Sequence, residues 1–93
     1  MKKYEVMFIV RPDLESEKVA ELVKHLKEIF TNRQGSILEE KDYGVKELAY
    51  EINKFTKGAY YWFLAETNSE AVNEFERVAR INESILRSIV VGA

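Results

Sequence analysis

The sequence predicts an α+β fold with the element order β-α-β-β-α-β. Two stretches carry apolar residues at helical spacing, one over 16–33 and one between Asn68 and Asn82. The segments around them are rich in β-branched and aromatic residues, as strands are. The chain of 93 residues has room for one core and contains no linker or repeat. This order is the ferredoxin-like arrangement, a four-stranded antiparallel sheet with two helices on one face, and we expect one domain over residues 1–93.

The first half of the chain predicts a strand followed by a helix. Residues 3–10 (KYEVMFIV) are nearly continuous in apolar side chains, which is typical of a central strand. Pro12 ends that strand because proline cannot donate to a β-ladder. The helix is expected from Ser16 to Arg33, with Ser16 or Asp13 as its N-cap and a stop at Gly35.

The second half predicts a hairpin, a helix and a last strand. The second strand is expected over 36–41 and again over 45–50, with an irregularity at 42–44 where a glycine interrupts it. Residues 53–58 (NKFTKG) are expected to form the hairpin loop, and the third strand to cover 59–67. Asn68 or Ser69 is expected to cap the second helix, and the fourth strand to cover 85–91.

The predicted topology leaves one face of the sheet without helices. Right-handed crossovers place the first and third strands in the centre and the other two at the edges. Because side chains alternate between faces, Val6, Phe8, Tyr61 and Phe63 are assigned to the helix side. The open face is then expected to carry an apolar set that marks an interaction site: Met7, Ile9, Tyr60, Trp62 and Leu64.

Composition narrows the function classes. The chain is 46% apolar and 32% charged, as ordered globular proteins are, and its net charge is −2. It has no cysteine, which excludes disulfides and thiolate metal sites. No membrane span or signal peptide is recognisable, so we expect a cytoplasmic protein with no membrane partner.

No catalytic constellation is recognisable, and we expect no enzyme, no cofactor, no metal and no small-molecule substrate. His25 is the only histidine and lies between apolar helix positions. The carboxylate pairs Glu39-Glu40 and Glu15/Glu17 have no orienting partner that would suggest acid–base chemistry.

The open face admits more than one kind of partner. RNA-recognition modules of this fold stack unpaired bases on aromatic residues of the two central strands. Here Met7 and Ile9 offer no stacking plane, so a protein partner is favoured over bases, with a largely solvated face as a third possibility.

Four stretches of the sequence resemble the bacterial ribosomal protein six family of the small (30S) subunit. They are Lys2-Lys3-Tyr4-Glu5-Val6, Pro12-Asp13-Leu14, the run from Gly44 to Lys54 (GVKELAYEINK) with Gly58 and Tyr60, and the run from Arg80 to Arg87 (RINESILR). The resemblance covers essentially the whole chain. It implies a non-catalytic protein that binds small-subunit (16S) rRNA in the central domain together with ribosomal protein eighteen, and that helps assembly.

The resemblance also implies RNA-binding residues: Lys2, Lys3, Tyr4, Lys46, Lys54, Arg80 and Arg87. Tyr50 and Leu48 are expected to pack within the sheet rather than to contact RNA. The chain departs from the family pattern at Glu47 and Glu51, where the family often has a basic residue and proline. Many members of the family also extend beyond the fourth strand.

Two rival functions remain at this point. One is a small ligand-binding or regulatory ferredoxin-like domain that self-associates through its open sheet. The other is a phosphate-ester hydrolase, which needs an arginine in a glycine-containing loop after the first strand, and Arg11-Pro12-Asp13 lacks those glycines.

Overall fold

A computed structural model describes residues 1–93 and confirms the predicted order of elements. The six elements are β1 (Lys2–Val10), α1 (Ser16–Thr31), β2 (Ser36–Ile52), β3 (Phe55–Thr67), α2 (Ser69–Ile81) and β4 (Ile85–Gly92). Neither helix is long and apolar enough to cross a membrane.

The four strands form one antiparallel sheet in the order β2-β3-β1-β4, as the crossover rule predicts. Val6 lies opposite Phe63 and Phe8 opposite Tyr61 in the β1–β3 register. These side chains meet the buried faces of both helices in a core with four fully buried phenylalanines: Phe8, Phe30, Phe63 and Phe75. The rings of Phe30 on α1 and Phe75 on α2 stack 5.6 Å apart, which ties the two helices to each other.

The two helices begin differently. Asn68 caps α2 as predicted, since its Oδ1 accepts a hydrogen bond from the Ala71 backbone N–H at 2.9 Å. The N-cap of α1 is Glu15, whose side chain makes no capping bond, so the expected caps Ser16 and Asp13 were wrong. Asp13 is instead engaged by Arg11, which donates two hydrogen bonds to its carboxylate at 2.8 and 2.9 Å.

The hairpin between β2 and β3 is tighter than the predicted loop over 53–58. β2 ends at Ile52 and β3 begins at Phe55, so only two residues form the turn. Both have left-handed backbone, with φ of 49° at Asn53 and 70° at Lys54. Two positive φ values in succession define the turn whose twist matches that of paired strands, which allows the ladder to continue almost to the tip.

β2 is one strand with three breaks in its register against β3. The predicted irregularity at 42–44 is confirmed: Gly44 has φ 76°, and its N–H donates to Asp42 Oδ1 at 2.8 Å. The largest break lies nearer the turn, where Glu47 pairs with Lys57 and Ile52 pairs with Phe55. Residues 48–51 therefore lie opposite Thr56 alone, and we call these four residues the β2 bulge.

Candidate functional site

The face of the sheet opposite the helices carries an apolar patch. The β1–β3 register sets Met7 opposite Trp62 and Glu5 opposite Leu64, and Tyr60 is next on the same face. The side chains of Met7, Tyr60, Trp62 and Leu64 are half-buried, although no helix covers them. Their remaining surface is available to a partner.

Ile9 differs from the other residues expected on this face. Its side chain is only 8% exposed, and it lies beside Gly58, which Leu48 of the β2 bulge also approaches. A Cβ atom at Gly58 would lie 2.3 Å from Ile9 Cγ2 and 3.4 Å from Leu48 Cδ2. The end of the hairpin thus closes over Ile9, which is a packing residue rather than part of the accessible patch.

Strand β4 enlarges the patch with two residues that sequence reasoning missed. Ile89 lies opposite Met7 and Val91 opposite Glu5, and their exposed fractions are 56% and 45%. The alternation of side chains along 85–91, combined with antiparallel pairing to β1, could have identified both. We define the open-face patch as Met7, Tyr60, Trp62, Leu64, Ile89 and Val91.

A further missed residue lies at the β2 side of the patch. Lys41 pairs with Trp62 in the β2–β3 register, and its Nζ lies 5.4 Å from the centroid of the Trp62 ring. A cation over an indole at this distance is an attractive contact. It places one positive charge at the β2 side of the patch, where Glu39 pairs with Leu64.

Apart from Lys46, the basic residues expected to bind RNA fall into two groups at opposite ends of the sheet. Lys2 and Lys3 lie exposed at the start of β1, opposite Thr67 and Glu66. Tyr4 is next to them, half-buried on the face that carries Val6. Eight residue steps separate Lys2 from the other end of β1, about 26 Å at 3.3 Å per residue.

The second group lies where the hairpin tip approaches α2 and β4. Arg80, Arg87 and Asn53 line one cavity of about 440 Å³, and Lys54 is the exposed neighbour of Asn53 in the turn. Glu76 also lines this cavity, but neither arginine forms a salt bridge with it. Two guanidinium groups without carboxylate partners are therefore close together at this end.

Tyr50 is exposed and not packed within the sheet as expected from the sequence. Its ring is 55% exposed, and Arg87 Cζ lies 5.2 Å from the ring centroid. Leu48 is half-buried, in line with its expected packing role. Because a bulge changes the direction in which side chains point, no alternation rule applied to β2 could have placed Tyr50 beside β4.

Lys46 is separate from both groups. It lies exposed on β2, and its Nζ is 5.0 Å from the centroid of the Tyr43 ring, which is also exposed. The structure thus brings Arg80 and Arg87 to one cavity, with Lys54 next to its lining residue Asn53. It leaves Lys46, Lys2, Lys3 and Tyr4 apart from them.

A groove between α1 and β2, with a volume of about 800 Å³, lies on the opposite side of the sheet from the patch. The Tyr61 ring lines it and stacks on Phe8 at 5.3 Å. Burial, together with the negative charge of Asp42, raises the pKa of the Tyr61 phenol. Lys27 and Glu40 form an ion pair across the groove. No three His, Cys, Asp or Glu side chains lie close enough to one another to hold a metal ion.

Comparisons with known proteins agree with this architecture. Residues 3–92 match the family model described as ribosomal protein S6. The small ribosomal subunit protein bS6 of Phytoplasma australiense is 46% identical over 91 residues, covering 98% of both chains. The protein of the same name from Acholeplasma laidlawii is 48% identical over 91 residues, covering 98% of this chain and 96% of its own.

A solved structure gives the same answer for the fold. The crystal structure of 30S ribosomal protein S6 from Thermotoga maritima superposes with a TM-score of 0.92 at 30% identity, covering 99% of this chain and 87% of the other. These matches confirm the resemblance noted in the sequence, the ferredoxin-like fold, and the expectation of a structural ribosomal protein of the cytoplasm rather than an enzyme. The chain belongs to the ribosomal protein S6 family of the small subunit.

Proposed function

We propose that this chain, acting as one domain over residues 1–93, binds small-subunit (16S) rRNA in the central domain together with ribosomal protein eighteen and so helps assembly. The observation that carries the proposal is the apolar open-face patch with unpaired basic residues beyond both of its ends. A surface that combines these two features suits a protein and an RNA at the same time.

The patch supports the protein half of the proposal. Trp62 lies in the β3 row of the patch, between Met7 on β1 and Lys41 on β2. Large aromatic residues often supply much of the free energy of protein association. Exposed Ile89 and Val91 extend the apolar surface onto β4, and neither side chain offers a plane on which a base could stack.

The basic residues support the RNA half. One end of the sheet carries Lys2, Lys3 and Tyr4, and the other carries Lys54, Arg80 and Arg87. Lys46 lies on the edge strand β2. The net charge of −2 limits the attraction of the free chain for RNA. A partner that adds phosphate contacts is therefore expected to convert weak binding into tight binding.

The test is a titration of central-domain RNA with the chain, with ribosomal protein eighteen, and with both. We expect the mixture to bind at least tenfold more tightly than the partner alone, with log affinity falling as log salt rises. No enhancement by the chain would overturn the proposal. Concentration-dependent self-association through the patch, without recruitment of the partner, would instead favour the regulatory-domain alternative.

Replacing Trp62 by alanine is expected to weaken the protein–protein step by about 2 kcal/mol or more, because the indole is the largest side chain of the patch. Calorimetric titration with the partner in the absence of RNA measures this step. Tyr43→Ala is the matched control, since Tyr43 is an exposed aromatic residue outside the patch. Equal partner affinity of the Trp62 variant and the wild type would place the interface elsewhere.

A further inference from the structure

The β2 bulge places an aromatic ring beside an arginine of β4. Arg87 Cζ lies 5.2 Å from the centroid of the Tyr50 ring, within the range of a cation–π contact. Arg87 pairs with Ile9 in the β1–β4 register and so belongs to the open face. Residues 48–51 approach it near the hairpin turn, and Leu48 and Ile9 both lie beside Gly58 there.

One face of the Tyr50 ring is packed against Arg87, and much of the rest of the residue is accessible to solvent. The guanidinium occupies one face of the ring, yet 55% of the residue remains exposed. No carboxylate neutralises Arg87. An exposed aromatic ring backed by a planar cation is a surface on which an unpaired nucleic-acid base stacks, whatever its identity.

Arg87 also lines the neighbouring cavity of about 440 Å³. Arg80, Asn53 and Ser88 bring hydrogen-bond donors to the same cavity, and Glu76 is its one acidic side chain. With two arginines against one glutamate, the lining carries a net positive charge. A group with negatively charged oxygens, such as a phosphodiester, fits this chemistry.

We propose that Tyr50 and Arg87 form a stacking platform for one unpaired RNA base, and that Arg80 and Asn53 hold the phosphate next to that base. The inference rests on the proposed RNA binding and adds a requirement to it. At one point of the site, the RNA must present a nucleotide that is not base-paired.

The test uses the wild-type chain with its partner and a central-domain RNA fragment that carries the fluorescent base 2-aminopurine at each unpaired position in turn. We expect the wild type to quench the fluorescence at one position, because stacking on an aromatic ring quenches this base. Tyr50→Leu is expected to abolish that quenching and to weaken RNA binding about 5- to 150-fold. The slope of log affinity against log salt should not change, because tyrosine carries no charge.

Arg80→Gln separates the phosphate from the base. We expect it to reduce the magnitude of the salt slope by about 0.7 while the quenching at the same position persists. Tyr43→Leu is the matched control for Tyr50→Leu, because Tyr43 is also an exposed tyrosine of β2 with a cation over its ring. It is expected to change RNA affinity less than twofold.

The outcomes distinguish the platform from the proposed function. If the wild type binds RNA and Tyr50→Leu binds it equally well, the platform is overturned and RNA binding stands. If the wild type adds nothing to RNA binding, both are overturned. If Tyr50→Leu weakens binding of the partner protein in the absence of RNA, the ring serves a protein contact and the platform is again overturned.

Discussion

At the scale of single residues, Gly58 decides how closely the hairpin approaches β1. A side chain there would meet Ile9 at 2.3 Å, so we expect Gly58→Ala to lower the free energy of unfolding by about 1–3 kcal/mol through overpacking. Urea unfolding measures the change. Gly92→Ala is the matched control, because nothing lies within 4 Å of a Cβ atom at that glycine of β4. Equal stability of the two variants would mean that the hairpin end moves away from Ile9 without loss.

At the scale of the element, α1 begins without the side-chain cap that α2 has. Glu15 has the extended backbone of an N-cap, with φ −63° and ψ 145°, but leaves the N-terminal N–H groups without a side-chain acceptor. We expect Glu15→Ser to raise the free energy of unfolding by about 0.5–1 kcal/mol, and Asn68→Ala to lower it by about 1 kcal/mol. Thermal unfolding measures both. If the Glu15→Ser variant is no more stable than the wild type, the missing side-chain cap does not reduce the stability of the fold.

At the scale of the whole molecule, three ionisable groups shape the dependence of stability on pH. Hydrogen bonds from Arg11 and Arg77 lower the pKa of Asp13 and of Glu74, and burial raises the pKa of Tyr61. The carboxylates stabilise the fold above their unfolded pKa of about 4, and this contribution is lost as pH falls through the lower folded values. Tyr61 stays protonated in the folded chain when the unfolded chain ionises, so stability falls as pH rises above about 10.

Variants separate the two limbs of this profile. We expect the double variant Asp13→Asn, Glu74→Gln to flatten the acid limb and Tyr61→Phe to flatten the alkaline one. Urea unfolding at intervals between about pH 2 and pH 11 gives the profile. Because both ion pairs are partly exposed to solvent, salt should screen them and reduce the loss of stability at acid pH. If neither salt nor the double variant changes that loss, other groups are responsible for it.

Much of the fold follows from local patterns in the sequence. Helical spacing identified α1 and α2, and the apolar continuity of residues 3–10 identified a central strand. The length of the hairpin turn did not follow, because Phe55 to Gly58 read as loop residues whereas two left-handed residues suffice for the turn. β3 is extended by its pairing with the neighbouring strands, and the free energy of that pairing cannot be read from the local sequence.

The candidate site also has a part that was predictable from the sequence and a part that was not. Alternation along β1 and β3 placed Met7 and Trp62 on one face, since that face depends only on strand geometry. The approach of Tyr50 to Arg87 was not predictable, because it depends on a register break that turns four residues of β2 across the end of the sheet.

At the hairpin turn, selection for stability and selection for positive charge favour different residues. Lys54 holds a backbone conformation, φ 70°, that glycine adopts at about 1 kcal/mol less. Directed evolution for heat resistance alone should therefore replace Lys54 by glycine and discard a positive charge next to the Arg80–Arg87 cavity. If Lys54 takes part in the proposed RNA binding, directed evolution for that binding should keep the lysine in spite of the less stable turn.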